Sequence, residues 1–168
     1  MTYATPLVLL DRFDAGEIAQ RVDRSTPRLV DGALLQAAAA AADLGDYSAD
    51  EQAAAAKALA IVQRALDDAR DNINGYISGR YTLPLTHVPQ ILERLACDLA
   101  RYYLYDDQVT DPIKARFDTA TKLLKDVADG RAQLGAELQS AQQPASQATA
   151  EVVSAGTVWG RKASQGFV

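Results

Sequence analysis

The sequence predicts an all-α fold, a small helical bundle with a long central helix, followed by an extended C-terminal arm. Along three long stretches the apolar residues recur in steps of three and four, which places them on one side of a helix. Residues that cap helix ends stand at several of the expected boundaries. The helical pattern ends near Leu134, so we expect a helical domain over residues 1–135 and a linker with a docking arm over residues 136–168.

Two short helices are predicted at the N-terminus. Thr5 precedes Pro6 as a cap with proline at the first helical position, and Asp14 with Glu17 has the spacing of a capping box. The two helices should therefore be separated near Asp14. The Ser-Thr-Pro segment at residues 25–27 is typical of a loop.

An alanine-rich block follows, over about residues 33–58. It is interrupted at residues 43–47 and resumes at Ser48, where Glu51 completes a second capping box. Because alanine favours helix but buries little surface, we expect a helical hairpin with a thin, closely packed face.

The central helix begins at Ser48 and ends at a hinge. Its apolar stripe comprises Leu59, Val62, Leu66, Ala69, Ile73 and Tyr76. Gly79 is expected to end the helix in the left-handed conformation, Pro84 to hold its predecessor extended, and Pro89 to occupy the first turn of the next helix. The hinge comprises Gly79, Arg80, Tyr81, Leu83, Pro84 and Leu85, of which Tyr81, Leu83 and Leu85 should lie against the central helix.

Two further helices are predicted after the hinge. The first has an apolar stripe of Leu92, Leu95, Leu99 and Tyr102. Asp111 before Pro112 is expected to cap the second, whose stripe comprises Ile113, Phe117, Ala120, Leu124 and Val127. Gly130 stands where a terminating glycine is expected.

The chain is acidic, with a net charge of −5 and its acids spread through the helices. A sequence-independent grip on DNA phosphates is therefore not expected of the whole surface. Residues 152–168 carry two basic and no acidic residues, which leaves 15 basic and 22 acidic residues, a net charge of −7, on the rest. This asymmetry suits docking of the basic tail onto an acidic partner.

The single cysteine, Cys97, excludes an intramolecular disulfide and is interpreted as a small buried hydrophobe. The sequence has neither a signal-peptide pattern nor an apolar stretch of about 18 residues that would span a bilayer. We therefore expect a soluble protein made in the cytoplasm.

Residues of the catalytic and metal-ligating types are isolated along the chain. The only histidine, His87, lies between two prolines and is interpreted as a loop residue. Asp106, Asp107 and Asp111 lack the spacing and the glycine of a calcium loop. We expect no enzymatic activity, no cofactor and no metal site.

Two groups on the helix after the hinge leave alternatives open. Arg94, Asp98 and Arg101 share one helical face, where they form either solvated pairs or a contact with a neighbouring subunit. The tyrosines of this helix resemble a stacking platform for nucleic acid, but no basic patch is interleaved with them. Packing against the core is the favoured interpretation for the set Tyr102, Tyr103 and Tyr105.

The C-terminal arm contains apolar and aromatic side chains of the types that dominate interface energetics. A linker rich in glutamine, serine and alanine precedes it. We expect the arm to bind a partner through Val152, Val153, Val158, Trp159, Arg161, Lys162 and Phe167.

Several motifs together resemble the head-tail connector, or neck, proteins of Mu-like tailed phages. They are residues 2–5 (Thr-Tyr-Ala-Thr), 66–69 (Leu-Asp-Asp-Ala), 74–76 (Asn-Gly-Tyr), 80–85 (Arg-Tyr-Thr-Leu-Pro-Leu), 95–102 (Leu-Ala-Cys-Asp-Leu-Ala-Arg-Tyr) and 130–132 (Gly-Arg-Ala). The resemblance covers roughly residues 1–135, and relative to the family pattern the alanine-rich block is an insertion.

The resemblance implies a structural virion protein of the bacteriophage neck, an adaptor that forms a homo-oligomeric ring, by analogy a dodecamer. Its implied partners are the portal protein and a tail-side neck or tail-completion protein. DNA would pass through the ring without sequence-specific binding, and no membrane is involved. The alternative is a small helical nucleic-acid-binding protein in packaging or regulation, but the helix after the hinge mixes acids with its arginines.

Overall fold

The computed structural model describes residues 2–135, and within them the regular structure is helical throughout. The α-helices are α1 (Pro6–Arg12), α2 (Ala15–Val22), α3 (Gly32–Ala39), α4 (Ala49–Ile77), α5 (Gln90–Tyr105) and α6 (Asp111–Ala128). A single 3₁₀ turn, Asp106–Gln108, lies between α5 and α6. The predicted all-α class is confirmed, and no described helix is long and apolar enough to cross a membrane.

Helix α4, with 29 residues, is the central element of the bundle. The hinge returns the chain so that α5 packs along α4, and α6 then packs against both. The helices α1, α2 and α3 cover α4 from the N-terminal side. Fully buried aliphatic side chains come from all six helices, including Leu9, Ile18, Leu34, Leu35, Leu66, Ile73, Leu92, Leu99 and Leu124.

The alanine-rich block forms α3 and the first turns of α4, with a turn at residues 40–47 between them. Ala54, Ala55 and Ala58 are buried, as expected of a thin, closely packed face. Helices α2 and α3 also approach closely, since a β-carbon at Gly32 would lie 2.6 Å from the backbone nitrogen of Gly16. Small residues therefore set the packing distance in this part of the bundle.

Most of the predicted caps are present. The side chains of Thr5 and Asp14 cap α1 and α2, and Ser48 with Glu51 forms both halves of a capping box on α4. One cap was assigned to the wrong residue: Thr110 is the N-cap of α6, and Asp111 is its first helical residue. With Pro112 at the second position, the Asp111 carboxylate interacts with the helix dipole instead of capping it.

The hinge differs from the prediction in its backbone. Gly79 does not adopt the left-handed conformation; α4 ends at Ile77 with Ser78 in the right-handed region, and the amides of Arg80 and Tyr81 both donate to the Ile77 carbonyl. The helix thus ends in a tighter, 3₁₀-type turn, and Gly79 does not need a positive φ. Pro89 lies one residue earlier than expected, at the N-cap of α5.

The side chains of the hinge do pack on the bundle. Tyr81 and Leu85 are buried, whereas Leu83 packs against the core but remains half-buried. The Tyr81 hydroxyl accepts a hydrogen bond of 3.1 Å from the backbone amide of Leu134. The hinge therefore joins the end of α4 to the segment that follows α6.

The terminating glycine of α6 has the predicted conformation. Gly130 has a φ of +80°, in the left-handed region that favours glycine. A β-carbon at this position would collide with the guanidinium of Arg80. Glycine at position 130 is therefore favoured by the positive φ of its backbone, and the Arg80 guanidinium occupies the space beside it.

Candidate functional site

Several motifs that carry the family resemblance contact one another in the fold. The hydroxyl of Tyr3 donates to Oδ1 of Asn74 at 2.5 Å, joining the chain start to the end of α4. Arg80 lies against Gly130, and Tyr81 binds the Leu134 amide. These contacts join motif residues that are far apart in the sequence, so the motifs contribute to the stability of the fold.

An ion pair with an aromatic partner links α2 to α5. The Arg101 guanidinium donates to Glu17 through Nη2 at 2.6 and 2.8 Å and through Nε at 2.9 Å. The Tyr105 hydroxyl donates to the same carboxylate, and the Arg101 guanidinium lies 4.5 Å from the centre of the Phe13 ring. The Arg101 side chain is 16% exposed, so this cluster serves packing within one chain.

The predicted grouping of Arg94, Asp98 and Arg101 into pairs along α5 is therefore wrong. Arg101 pairs with Glu17, and the ion pair of Asp98 is with Arg116 of α6, whose Nη1 lies 3.9 Å from Oδ1. The sequence offered no signal for these partners, because Glu17 is 84 residues from Arg101 and Arg116 lies on another helix. A subunit contact at this position remains a prediction.

A cleft of about 340 Å³ lies between α5 and α6, beside the end of α1. We call it the arginine groove. Arg12, Arg94 and Arg116 surround it, Asp98 lies within it, and Leu95 and Leu123 contribute apolar walls. Arg94 and Arg116 are exposed, whereas the Asp98 side chain is only 13% exposed.

The electrostatics of the arginine groove are dominated by cations. Burial raises the pKa of Asp98, although the charges of Arg116, Arg94, Arg12 and Arg101 act in the opposite direction. Arg12 also forms an ion pair of 3.5 Å with Glu93 at the groove edge. Arg94 forms no ion pair within the described residues. An otherwise acidic chain thus places three arginines around one cleft.

The turn between α3 and α4 has the opposite character. Asp43 and Asp46 of the turn and Asp50 in the first turn of α4 are exposed, and we call these three residues the acidic tip. Asp43 accepts a hydrogen bond from the Gly45 amide at 3.0 Å, and Gln52 of α4 donates to the carbonyls of Leu44 and Tyr47, each at 2.9 Å. These bonds fix the turn and leave the carboxylates of Asp46 and Asp50 directed to solvent.

The tyrosines of α5 pack on the bundle. The ring of Tyr102 stacks on Phe117 of α6 with centroids 3.9 Å apart, and Tyr103 meets the same ring edge-on at 6.2 Å. Tyr105 is buried, and burial together with Glu17 raises its pKa. No row of free aromatic faces remains within residues 2–135 for stacking bases, which agrees with the core interpretation.

The residues of catalytic and ligand type remain isolated in space. His87 is exposed in the hinge loop, and Cys97 is buried, with burial raising the pKa of its thiol to about 11. Within the described part of the chain, no three histidine, cysteine or carboxylate side chains lie close enough together to hold a metal ion. The seven predicted partner-binding residues of the arm, from Val152 to Phe167, lie outside the described residues.

Comparison with known proteins identifies relatives over most of the described fold. The sequence model of the family described as Bacteriophage Mu, Gp36 matches residues 3–153. The Mu-like prophage FluMu protein gp36 of Haemophilus influenzae is 41% identical over 107 residues, which are 64% of this chain and 75% of that protein. Gene product J of Escherichia phage Mu is 37% identical over 109 residues, 65% of this chain and 77% of that protein. The chain therefore belongs to the Bacteriophage Mu Gp36 family.

Proposed function

We propose that this protein is the head-tail connector of a Mu-like phage, a structural adaptor that forms a ring between the portal and the tail. The observation that carries the proposal is membership of a phage Mu protein family across residues 3–153. The motifs around the hinge add the resemblance to neck proteins. Gene product J and the FluMu protein are named as phage and prophage products, which is consistent with a role in the phage particle.

The architecture suits a mechanical role. A helical bundle with a continuous central helix of 29 residues is a stiff element that transmits load along its axis. Copies arranged around a cyclic axis repeat each weak contact at every subunit, so the contacts sum to a stable collar. An acidic body lets DNA slide through the opening, because a basic lining would hold the phosphates.

Deletion of the gene from an inducible prophage tests the proposal. We expect lysates that contain DNA-filled heads and separate tails, with few joined particles when viewed by electron microscopy. Purified protein added to such a lysate should restore joining, and a supplied copy of the gene should restore infectivity. Joined particles at the wild-type frequency in the deletion lysate would refute the connector role.

A DNA-binding assay separates this proposal from a nucleic-acid-binding function. The net charge of −5 predicts no retardation of duplex DNA by the purified protein even at low salt. Retardation that weakens steeply as salt is raised would favour the packaging or regulatory alternative.

The C-terminal arm is our candidate for the portal contact. Residues 152–168 combine five apolar or aromatic anchors with Arg161 and Lys162, which fit an acidic rim. Truncation after Gln143 should leave the thermal stability of the helical domain unchanged and remove the protein from particles. Trp159→Ala should weaken incorporation by about 2 kcal/mol or more, as expected of an interface hot spot. Normal incorporation of the truncated chain would assign the portal contact to the helices instead.

The isolated protein should be a monomer or a weak oligomer that completes its ring on the portal. Its exposed surface is rich in charge and its alanine face is already buried within the chain, so no large apolar subunit interface is available among the described residues. Light scattering in dilute solution without portal measures the state directly. A stable ring under these conditions would contradict the expectation.

A further inference from the structure

The arginine groove and the acidic tip are two oppositely charged features on the surface of the described fold. In the groove, Arg12 pairs with Glu93 and Arg116 with Asp98, whereas Arg94 is exposed and forms no ion pair within the described residues. The groove is an open cleft of about 340 Å³, and the half-buried Leu123 leaves apolar surface in its wall. Charge and shape together favour an acidic segment as the occupant.

The acidic tip has the chemistry that the groove would accept. Between residues 29 and 56 the chain contains five acidic residues and no basic residue. Hydrogen bonds from Ser48 lower the pKa of Glu51, which lies next to the tip, and the negative charge of Asp31 acts more weakly in the opposite direction. The tip carboxylates form no ion pair within residues 2–135. Their charge is therefore available to a partner.

The two surfaces belong to different parts of the molecule. Helix α3, which leads into the tip, contacts α1, α2 and α4 but neither α5 nor α6 among the described helices. The groove is formed by α5, α6 and the end of α1. A contact between two distinct patches on identical copies is heterologous, and it closes into a ring when the rotation between copies permits.

We propose that the acidic tip of one copy binds in the arginine groove of the next copy around the ring. This proposal rests on the proposed connector function and names the subunit contact that it requires. Asp46 and Asp50 face the guanidiniums of Arg94 and Arg116 in this contact. The alanine-rich block then has a role, since the three carboxylates of the tip lie within it.

Charge reversal tests the contact with the full-length chain. Arg94→Glu and Asp46→Lys should each weaken self-association about tenfold or more in sedimentation equilibrium at low salt and high protein concentration. The chain that carries both substitutions should regain association, because the charges are exchanged and the pair is kept. High salt should weaken the wild-type association, as expected for exposed charges.

Matched controls separate the contact from a general charge effect. Arg64→Glu and Asp68→Lys make the same changes at exposed positions of α4, and neither should alter association. Arg94 and Asp46 are exposed and form no ion pair within the described residues, so unchanged melting curves should confirm folding of the variants. The proposal would be overturned if Arg94→Glu and Asp46→Lys each associate like wild type, or if the chain with both substitutions does not regain association.

Cross-linking tests the same contact even if association is too weak to sediment. A chain with Arg94→Cys and Asp46→Cys should form a ladder of disulfide-linked oligomers under mild oxidation, since native Cys97 is buried. A chain with Arg94→Cys and Asp68→Cys should not. Absence of the ladder, or an equal ladder in the control, overturns the subunit contact. The gene-deletion experiment judges the connector function independently, because it does not depend on which residues form the interface.

Discussion

The two halves of helix α4 bury different kinds of side chain, although they belong to one continuous helix. Towards its start the buried residues are Ala54, Ala55 and Ala58, while towards its end they include Leu66, Ile73 and Ile77. The alanine half gains little from apolar burial and depends on close backbone approach and on polar groups that fix its neighbours. The aliphatic half gains most of its stability from burial of large side chains.

The polar groups that support the alanine half are well defined. Asp23, 8% exposed, accepts hydrogen bonds from the amides of Ser25, Leu29 and Val30 at 2.8 to 2.9 Å and so holds the loop between α2 and α3. Asp31 caps α3 and Ser48 caps α4. This half is therefore sensitive to removal of single polar atoms, and the other half is sensitive to loss of volume.

The largest effect is expected in the aliphatic half. Ile73→Ala removes a side chain that is 0% exposed and leaves a cavity, which should lower the free energy of unfolding by about 2–5 kcal/mol. Chemical denaturation followed by circular dichroism measures the change. A loss below about 1 kcal/mol would mean that this half also collapses around small residues.

Removal of the loop carboxylate should come next. Asp23→Ala leaves three backbone amides without their acceptor, at a cost of about 2 kcal/mol near neutral pH. Burial raises the pKa of Asp23, but the hydrogen bonds from Val30, Ser25 and Leu29 outweigh it and lower the pKa from 3.8 to about 2.

The pH dependence of that difference follows from the sign of the shift. A pKa lowered by folding contributes stability that is present above pH 3.8 and disappears as the pH falls towards about 2. The difference between wild type and Asp23→Ala should therefore shrink over this interval in acid-unfolding curves. A constant difference would show that the carboxylate acts through its shape and not through its charge.

Enlargement of the alanine face should cost somewhat less. Ala55 is 0% exposed, so Ala55→Leu forces the neighbouring helices apart and should destabilise the fold by about 1–3 kcal/mol. Thermal melting and denaturant titration both report it. A stabilised variant would reveal unfilled space and remove the contrast between the halves.

The smallest expected effect is a gain. No atom lies within 4 Å of a β-carbon at Gly75, which is inside α4, so Gly75→Ala should stabilise the protein by about 0.5–1 kcal/mol. Gly32→Ala is the control of opposite sign, because its β-carbon would meet the Gly16 backbone. Equal effects at the two glycines would contradict the close approach of α2 and α3.

Local signals in the sequence predicted most of the fold. Thr5, Asp14 and Ser48 each act on backbone amides within three residues, so their caps could be located without the tertiary structure. The conformation of Gly79 was predicted wrongly because a helix can end either with a left-handed glycine or with a 3₁₀-type turn. The residues around Gly79 do not distinguish these two endings.

The surface was much less accessible to sequence reasoning. The arginine groove depends on Arg12 and Arg116, which belong to α1 and α6 and meet α5 only after the chain has folded. No periodicity relates these positions along the chain. The pairing along α5 failed for the same reason, since Arg101 and Asp98 have their ion-pair partners on α2 and α6.

Because Cys97 is buried, the rate at which its thiol is labelled reports local opening of the fold. Its thiol is 0% exposed, and because burial raises its pKa to about 11, hardly any thiolate exists at neutral pH. A thiol reagent can react only when the packing around α5 opens, so the rate of labelling reports how often it does. A neighbouring subunit that stabilises the closed form slows the labelling of Cys97. The labelling rate of this one thiol therefore follows assembly of the wild-type protein.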